Sequence, residues 1–454
     1  MYDKVLIANR GEISVRISRA LKELGVTSVA IYQPNDDESY HIDAADEAIN
    51  LEDNRGYLKQ ELVIEKAEQA GADAIHPGYG FMSENADFIR KVEDSSLDFI
   101  GPSADSVDAM GVKTEARTTM KEAGVPIMPG TTEPTNDPEE VKQVAEDIGY
   151  PVMVKASGGG GGMGIRVVHN EDEVEDAVES AQKQAKRAFG MPDLYVEKFL
   201  EEPRHIEIQV IADEHGNTIH LGERDCSIQR RRQKVVEEGP SPALTPELRE
   251  EMGQMAVEAA EAVDYVNAGT VECMLDKDGE NYYFLEMNTR IQVEHPVTEM
   301  LTGVDLVKEQ VRVAAGEVLK HSQEDIELEG AAIECRLNAE DPSKNFKPGP
   351  GLIEGLNIPN GPFTRCDTFV FDDYKVPATF DSMIGKLIVW GEDRDEAIQR
   401  MKRALDELEI GGIPTTADVQ RKLLRDEAFT DADYHVQFFE DWVEEQEFKE
   451  PVTA

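Results

Sequence analysis

The sequence predicts a mixed α/β and α+β architecture in a chain of 454 residues, long enough for two or three domains. Three stretches carry that prediction. As far as Pro102, short apolar strands alternate with helices, the pattern of a parallel, doubly wound sheet. Near the middle, the run S-G-G-G-G-G-M-G joins two short strands. Farther on, Tyr282 to Thr298 starts as an apolar, aromatic strand and then sets Glu286, Asn288, Arg290, Gln292 and Glu294 at every second position.

On an extended backbone alternate side chains share a face, so this row would align carboxylate, amide, guanidinium, amide and carboxylate. A buried strand cannot hold such groups unpaired, which makes a metal and oxyanions the expected partners. Just upstream, Gly269 to Leu275 reads as a second strand carrying Glu272, and Asp276-Lys277-Asp278-Gly279 supplies turn chemistry. With Glu272 opposite Glu286, the hairpin centres on Gly279. Two carboxylates that close need a cation between them, and oxygen ligands suit Mg2+ or Mn2+. The plain alternative is two surface acids on an ordinary hairpin.

Composition narrows the class. Hydrophobic residues make up 40% and charged residues 31%, the balance of a globular chain. No apolar run approaches the ~18 residues of a membrane span, and the N-terminus M-Y-D-K-V-L-I-A-N-R reads as a strand rather than a signal peptide. Cys226, Cys273, Cys335 and Cys366 are scattered without C-x-x-C, which fits a reducing cytoplasmic compartment and neither a disulfide framework nor a zinc site. A net charge of -47 argues against a nucleic-acid partner, because phosphate would be repelled over most of the surface. It also predicts a salt-loving source, since screening relieves self-repulsion; the alternative is an ordinary acidic protein kept soluble by its charge.

In chain order, residues 4–9 form a strand, Glu12 to Leu24 a helix stopped by Gly25, and Ser28 to Tyr32 the next strand. A helix at 59–69, a short strand at 73–76 and a strand ending at Phe99 continue the alternation. The turn H-P-G-Y-G (His76 to Gly80) follows the third strand, where open sheets bind ligands; a tight turn that needs glycines is the other reading. After a linker near Pro129 come helix 137–148, strand Pro151 to Ala156, the glycine flap and strand Ile165 to His169. Backbone N–H groups of a glycine flap can cradle phosphates, and Lys155 sits just before it. Helix 171–188, strand Leu194 to Phe199, strand Arg204 to Ala212 and its partner Thr218 to Leu221 follow.

Arg230, Arg231, Arg232 and Lys234 then cluster in an otherwise acidic chain. A solvated loop and a nucleic-acid patch both fit; a small-anion site fits best, because a local positive patch focuses a small anion within a negative field. A helix spans Thr245 to Val263, and another runs from Thr298 through Val311. Ala332 to Pro342 is a strand carrying Arg336, and Asp381 to Trp390 with helix 394–408 completes an α+β C-terminal part.

K-A-S-G-G-G-G-G, E-R-D-C-S-I-Q-R-R-x-Q-K-V-V-E-E, E-M-N-T-R-I-Q-V-E-H-P-V-T-E and Y-x-V-P-x-x-x-D-S-M-I-G-K-L together resemble biotin carboxylase, a member of the ATP-grasp superfamily. The resemblance covers nearly the whole chain. It implies a Rossmann-like domain at 1–110, an ATP-grasp domain at 111–325 with a lid at about 130–202, a C-terminal domain at 326–445 and an acidic tail at 446–454. It also implies chemistry in which ATP activates bicarbonate as carboxyphosphate and the carboxyl group passes to biotin. Within that reading Glu272, Glu286 and Asn288 hold Mg2+ (or Mn2+). Glu294 is the base for bicarbonate, and Arg290 clamps bicarbonate with Lys234, Gln292 and Val293. Arg336 stabilises carboxyphosphate and the biotin enolate. Lys113, Lys155, Gly161 and Gly162 hold phosphates, Glu197, Lys198, Phe199 and Leu200 line the adenine pocket, and His205 and Gln229 lie near the ribose. Tyr79 and Gly80 lie near biotin.

Two positions depart from the resemblance. Met163 stands where a basic residue is usual in the lid, and Arg232 stands where a histidine near the nucleotide is common. No M-K-M biotin-attachment motif occurs, so a carboxyltransferase subunit, together with a biotin carboxyl carrier protein or domain, is expected elsewhere. A homodimer is implied by the resemblance alone. Two other functions share parts of this pattern: another ATP-grasp carboxylate ligase, and a catalytically silent nucleotide-binding scaffold.

Overall fold

The computed structural model describes residues 1–131, 134–156, 165–189 and 193–448. It divides into two units: Met1–Val125 with Arg204–Cys273 and Glu286–Ala454, and Pro126–Pro203 with Met274–Leu285.

The first unit opens with a five-stranded parallel sheet, ordered Glu47–Asn50, Thr27–Tyr32, Lys4–Ile7, Ala74–His76 and Asp98–Phe99. The expected alternation of strands and helices holds; the edge strand Glu47–Asn50, exposed and half-buried along its length, had no apolar signal. Helix Gly11–Leu24 packs Ile13, Ile17 and Leu21 against Val5 and Ile7. Gly25 ends it in a left-handed conformation, its N–H bonding the carbonyls of Leu21 and Lys22.

The chain's largest sheet has eight strands in the order Tyr282–Asn288, Asn267–Leu275, Arg204–Ala212, Thr218–Arg230, Gln233–Gly239, Ala331–Asn338, Met383–Gly391 and Thr364–Thr368. Several sequence expectations change here. The strand partnering Arg204–Ala212 does not stop at Leu221 but runs on to Arg230, and Arg231 and Arg232 make a tight turn with φ of 50° and 67°. The basic cluster is therefore a hairpin tip: Arg231 and Arg232 are exposed, Arg230 lies over the Phe346 ring, and Lys234 turns inward. The single helix expected from Thr298 to Val311 is two helices, His295–Thr302 and Leu306–Ala314, separated at Gly303 with φ of 71°. The row Glu286 to Glu294 is not one continuous strand, because the strand ends at Asn288 and Glu294 sits at the N-terminus of the next helix. A straight strand would have lined up five polar groups on one buried face; bending the chain lets each find its own partner.

The second unit contains a three-stranded sheet in which Val152–Ala156 pairs antiparallel with both Ile165–Val168 and Leu194–Lys198. Helices Pro138–Ile148 and Val174–Phe189 supply Val141, Ala145, Val178 and Ala181 to its core. The hairpin turn falls as expected at Asp276–Gly279, with Gly279 in left-handed conformation and the Asp276 N–H bonded to the Asn281 carbonyl.

Candidate active site

The polar centre of the first unit is built around Lys234. Strand Arg204–Ala212 points His205, Glu207 and Gln209 to one side, as alternation requires. The Lys234 ammonium reaches Glu207 at 2.5 Å, Glu294 at 2.5 Å and Glu272 at 3.1 Å. Glu272 is also 3.1 Å from His205 Nε2 and accepts a 2.8 Å hydrogen bond from Gln292. Burial by itself would push the Glu272 pKa up, but Lys234 and His205 outweigh it and hold the carboxyl well below the usual range.

Glu294 is the shared anion of the site. Its second oxygen accepts from Arg336 Nη2 at 2.8 Å, while Arg336 Nε donates to Glu237 at 2.5 Å. Burial opposes its ionisation, yet Lys234, Arg336 and Arg224 together keep it ionised far below the ordinary carboxylate pKa. Arg224 is fully buried and organises the floor. It donates to Glu207 at 2.6 Å, Thr298 at 2.7 Å, Gln209 at 2.9 Å and Gln292 at 3.2 Å.

Arg290 is aimed by three acceptors: Glu84 at 2.9 Å, the Asn288 side-chain oxygen at 3.0 Å and the Ile291 carbonyl at 3.2 Å. Glu84 also accepts the Thr289 N–H at 3.1 Å. Asn288 Nδ2 is buried without a hydrogen-bond partner among the described residues, and Glu286 is half-buried on the same strand. Carboxylates and an amide of this kind fit a hard divalent cation. Gln229 lies opposite Lys234 in register. The Val293 carbonyl accepts from Lys386, and the Tyr79 hydroxyl donates to Glu12. Gly78 and Gly80 flank Tyr79 with φ of 61° and 68°, and Asn9 ties the turn by donating to the Pro77 and Tyr79 carbonyls at 2.7 Å. The positive φ favours glycine at both positions, and a Cβ on Gly78 would in addition meet Asn9 Nδ2 at 2.8 Å.

In the second unit, Lys155 pairs with Glu197 at 2.5 Å, and Lys198 donates to the carbonyls of Gly149 at 3.0 Å and Tyr150 at 3.2 Å. The Phe199 N–H bonds the Pro151 carbonyl and Leu200 is buried. Gly161, Gly162 and Met163 lie outside the described residues; Lys113 opens helix Lys113–Glu122, and its side chain also lies outside them.

The structure thus gathers Lys234, Glu272, Gln292, Glu294 and Arg336 into one network, with His205 at its edge. Arg232 is apart, at its exposed hairpin tip. Sequence reasoning missed Glu207, Arg224, Glu237, Glu84, Glu12 and Lys386. Glu207 was within reach, because the alternation of R-H-I-E-I-Q places it on the face of His205. Glu84 carried no local signal.

Three family descriptions match the chain in succession: "Biotin carboxylase, N-terminal domain" at residues 1–107, "Carbamoyl-phosphate synthase L chain, ATP binding domain" at 112–322, and "Biotin carboxylase C-terminal domain" at 334–441. Biotin carboxylase 1 of Bacillus subtilis is 54% identical over 443 residues, covering 97% of this chain and 98% of that protein. Biotin carboxylase of a Nostoc species is 51% identical over 443 residues, covering 97% of this chain and 99% of that protein. The biotin carboxylase domain dimer of Hydrogenobacter thermophilus 2-oxoglutarate carboxylase, solved with MgADP, ADP and bicarbonate, is 48% identical with a TM-score of 0.87, covering 99% of this chain and 100% of that one. With three domain descriptions in the expected order and relatives matched nearly end to end, the chain belongs to the biotin carboxylase family of ATP-grasp ligases.

Proposed function

We propose that the chain carries out the first half-reaction of a biotin-dependent carboxylase: it uses ATP and bicarbonate to carboxylate biotin presented by a carrier protein, through carboxyphosphate. The observation that carries the proposal is Glu294, buried and ionised between Lys234 and Arg336. An anion in that place is a base held ready for a substrate that brings its own negative charge. Bicarbonate entering beside Arg290, Lys234, Gln292 and the Val293 backbone competes for the same cations. Their pull on Glu294 then weakens and its proton affinity rises. Arg336 can turn from Glu294 toward the charge that develops on carboxyphosphate and on the biotin oxygen.

Glu272, Glu286 and Asn288 would hold Mg2+ or Mn2+, which would supply positive charge to offset that of the ATP phosphates. Lys113, Lys155, Gly161 and Gly162 are assigned to the phosphates, and Glu197, Lys198, Phe199, Leu200, His205, Gln229 and Arg232 to the adenosine. Tyr79 and Gly80 are assigned to biotin. The same reading divides the chain at about residues 110 and 325. It gives the protein a homodimeric state, a carboxyltransferase partner, a biotin carrier and a cytoplasmic, salt-rich setting. No helix among the described residues is long and apolar enough to cross a membrane.

The test is phosphate release from ATP in concentrated KCl with Mg2+, with and without bicarbonate and free biotin, beside Glu294→Gln. Release that requires bicarbonate, rises with biotin and collapses in the variant supports the proposal. Nucleotide binding without bicarbonate-dependent turnover would favour the silent scaffold.

A further inference from the structure

Lys386 is fully buried on strand Met383–Gly391 and stands directly opposite Arg336 in the antiparallel register. Two cations side by side on one sheet face repel, and a lysine without exposure pays a desolvation cost as well. Its surroundings supply the compensation. Asp367 is its register partner on the other side, and Glu12 Oε1 lies 3.3 Å from its ammonium. The ammonium donates to the Val293 carbonyl, and the same Glu12 oxygen accepts the Tyr79 hydroxyl. Lys386 Nζ also lies 5.9 Å from the centre of the Tyr79 ring. Glu12 Oε2 is buried with no partner among the described residues.

One ion pair, with both members almost fully buried, therefore ties two separate parts of the site. One tie reaches the peptide between Gln292 and Glu294. The other reaches the H-P-G-Y-G turn. The geometry points to Lys386 and Glu12 as positioning residues: Lys386 sets the Val293 peptide and so the bicarbonate end, and Glu12 sets Tyr79 and so the biotin end. This inference rests on the carboxylase reading above.

The two ties predict different kinetic signatures. In Glu12→Gln, an isosteric change that also weakens the hold on Lys386, the KM for free biotin rises about tenfold, a larger change than that in bicarbonate-dependent ATP hydrolysis without biotin. In Lys386→Met, kcat falls about 100-fold with and without biotin, because a misplaced peptide displaces both Gln292 and Glu294. Affinity for ADP, measured by calorimetry on each variant, stays at the wild-type value. Normal kinetics in both variants, or losses that track reduced ADP affinity and reduced melting temperature in proportion, would overturn the inference alone. A wild-type protein with no turnover that bicarbonate starts would overturn the carboxylase reading, and this inference with it.

Discussion

Glu237 and Glu334 are register partners on adjacent antiparallel strands, so two carboxyl groups meet on one buried face. Burial pushes Glu237 up to about 7 against the pull of Arg336. Burial pushes Glu334 well above the usual carboxylate range, and neither of its oxygens has a hydrogen-bond partner among the described residues. The folded protein therefore binds more protons than the unfolded chain in the window from about 4.5 to about 7 and above. These groups favour folding below the window, and that contribution is lost as pH rises through it. Glu334→Gln should flatten the decline and raise the melting temperature at pH 8 by about 1–2 °C. Melting curves of both proteins across the window check this; parallel curves would show that the pair does not titrate as described.

Arg336 holds Glu237 with Nε and Glu294 with Nη2, two carboxyl groups on two different elements. A lysine carries its charge on a single nitrogen and lacks the planar fork by which Arg336 offers separate nitrogens to two carboxyl groups in different directions. Arg336→Lys should lower biotin-stimulated ATP turnover on the order of 100-fold with ADP affinity preserved. Steady-state kinetics beside a nucleotide titration make the comparison.

Arg224 has no exposure and donates to four side chains at 3.2 Å or less. Arg224→Met leaves the Glu207 carboxylate facing Lys234 alone. A loss of about 3–5 kcal/mol is expected, because a buried charge is left without one of its two partners. Urea unfolding in concentrated KCl measures it.

Glu286 and Asn288 are assigned to a divalent cation, and the cation is assigned to nucleotide phosphates. Glu286→Gln should weaken the Mg2+ dependence of ADP binding about tenfold while leaving metal-free ADP binding unchanged. Titrating Mg2+ at fixed ADP separates the two.

A net charge of -47 spread over one chain predicts stability that climbs steeply with salt. The melting temperature should still be rising above about 1 M KCl, where simple screening is already nearly complete. A plateau at low salt would leave the acidity as a solubility device.

Much of this architecture was legible because its signals are local. Strands and helices of the first sheet announce themselves by period and by stops such as Gly25, and the turn at Asp276–Gly279 by its residue types. The site was legible in part for the same reason: Glu272, Gln292 and Glu294 lie in two neighbouring stretches. What stayed hidden depends on the third dimension. The bend after Asn288 follows from each polar group needing a different partner, and no alternation rule expresses that need. Arg224 and Lys386 looked like members of a motif, but their work is set by register with strands far away in sequence. The split at Gly303 needed only one glycine, which a helical pattern can absorb.

The Arg290–Glu84 pair joins residues 206 positions apart, and the Arg16–Glu299 pair spans 283. Bonds of such reach tie catalysis to the order in which a ribosome releases the chain. At about 5–20 residues per second, the leading sheet has emerged well before Arg290 is translated. Strand Met383–Gly391, which brings Lys386 to the Val293 carbonyl, comes later still. A nascent chain halted before that strand holds the leading sheet and the base, yet lacks the support behind them. The support behind the Val293 carbonyl is thus complete only once strand Met383–Gly391 has been made.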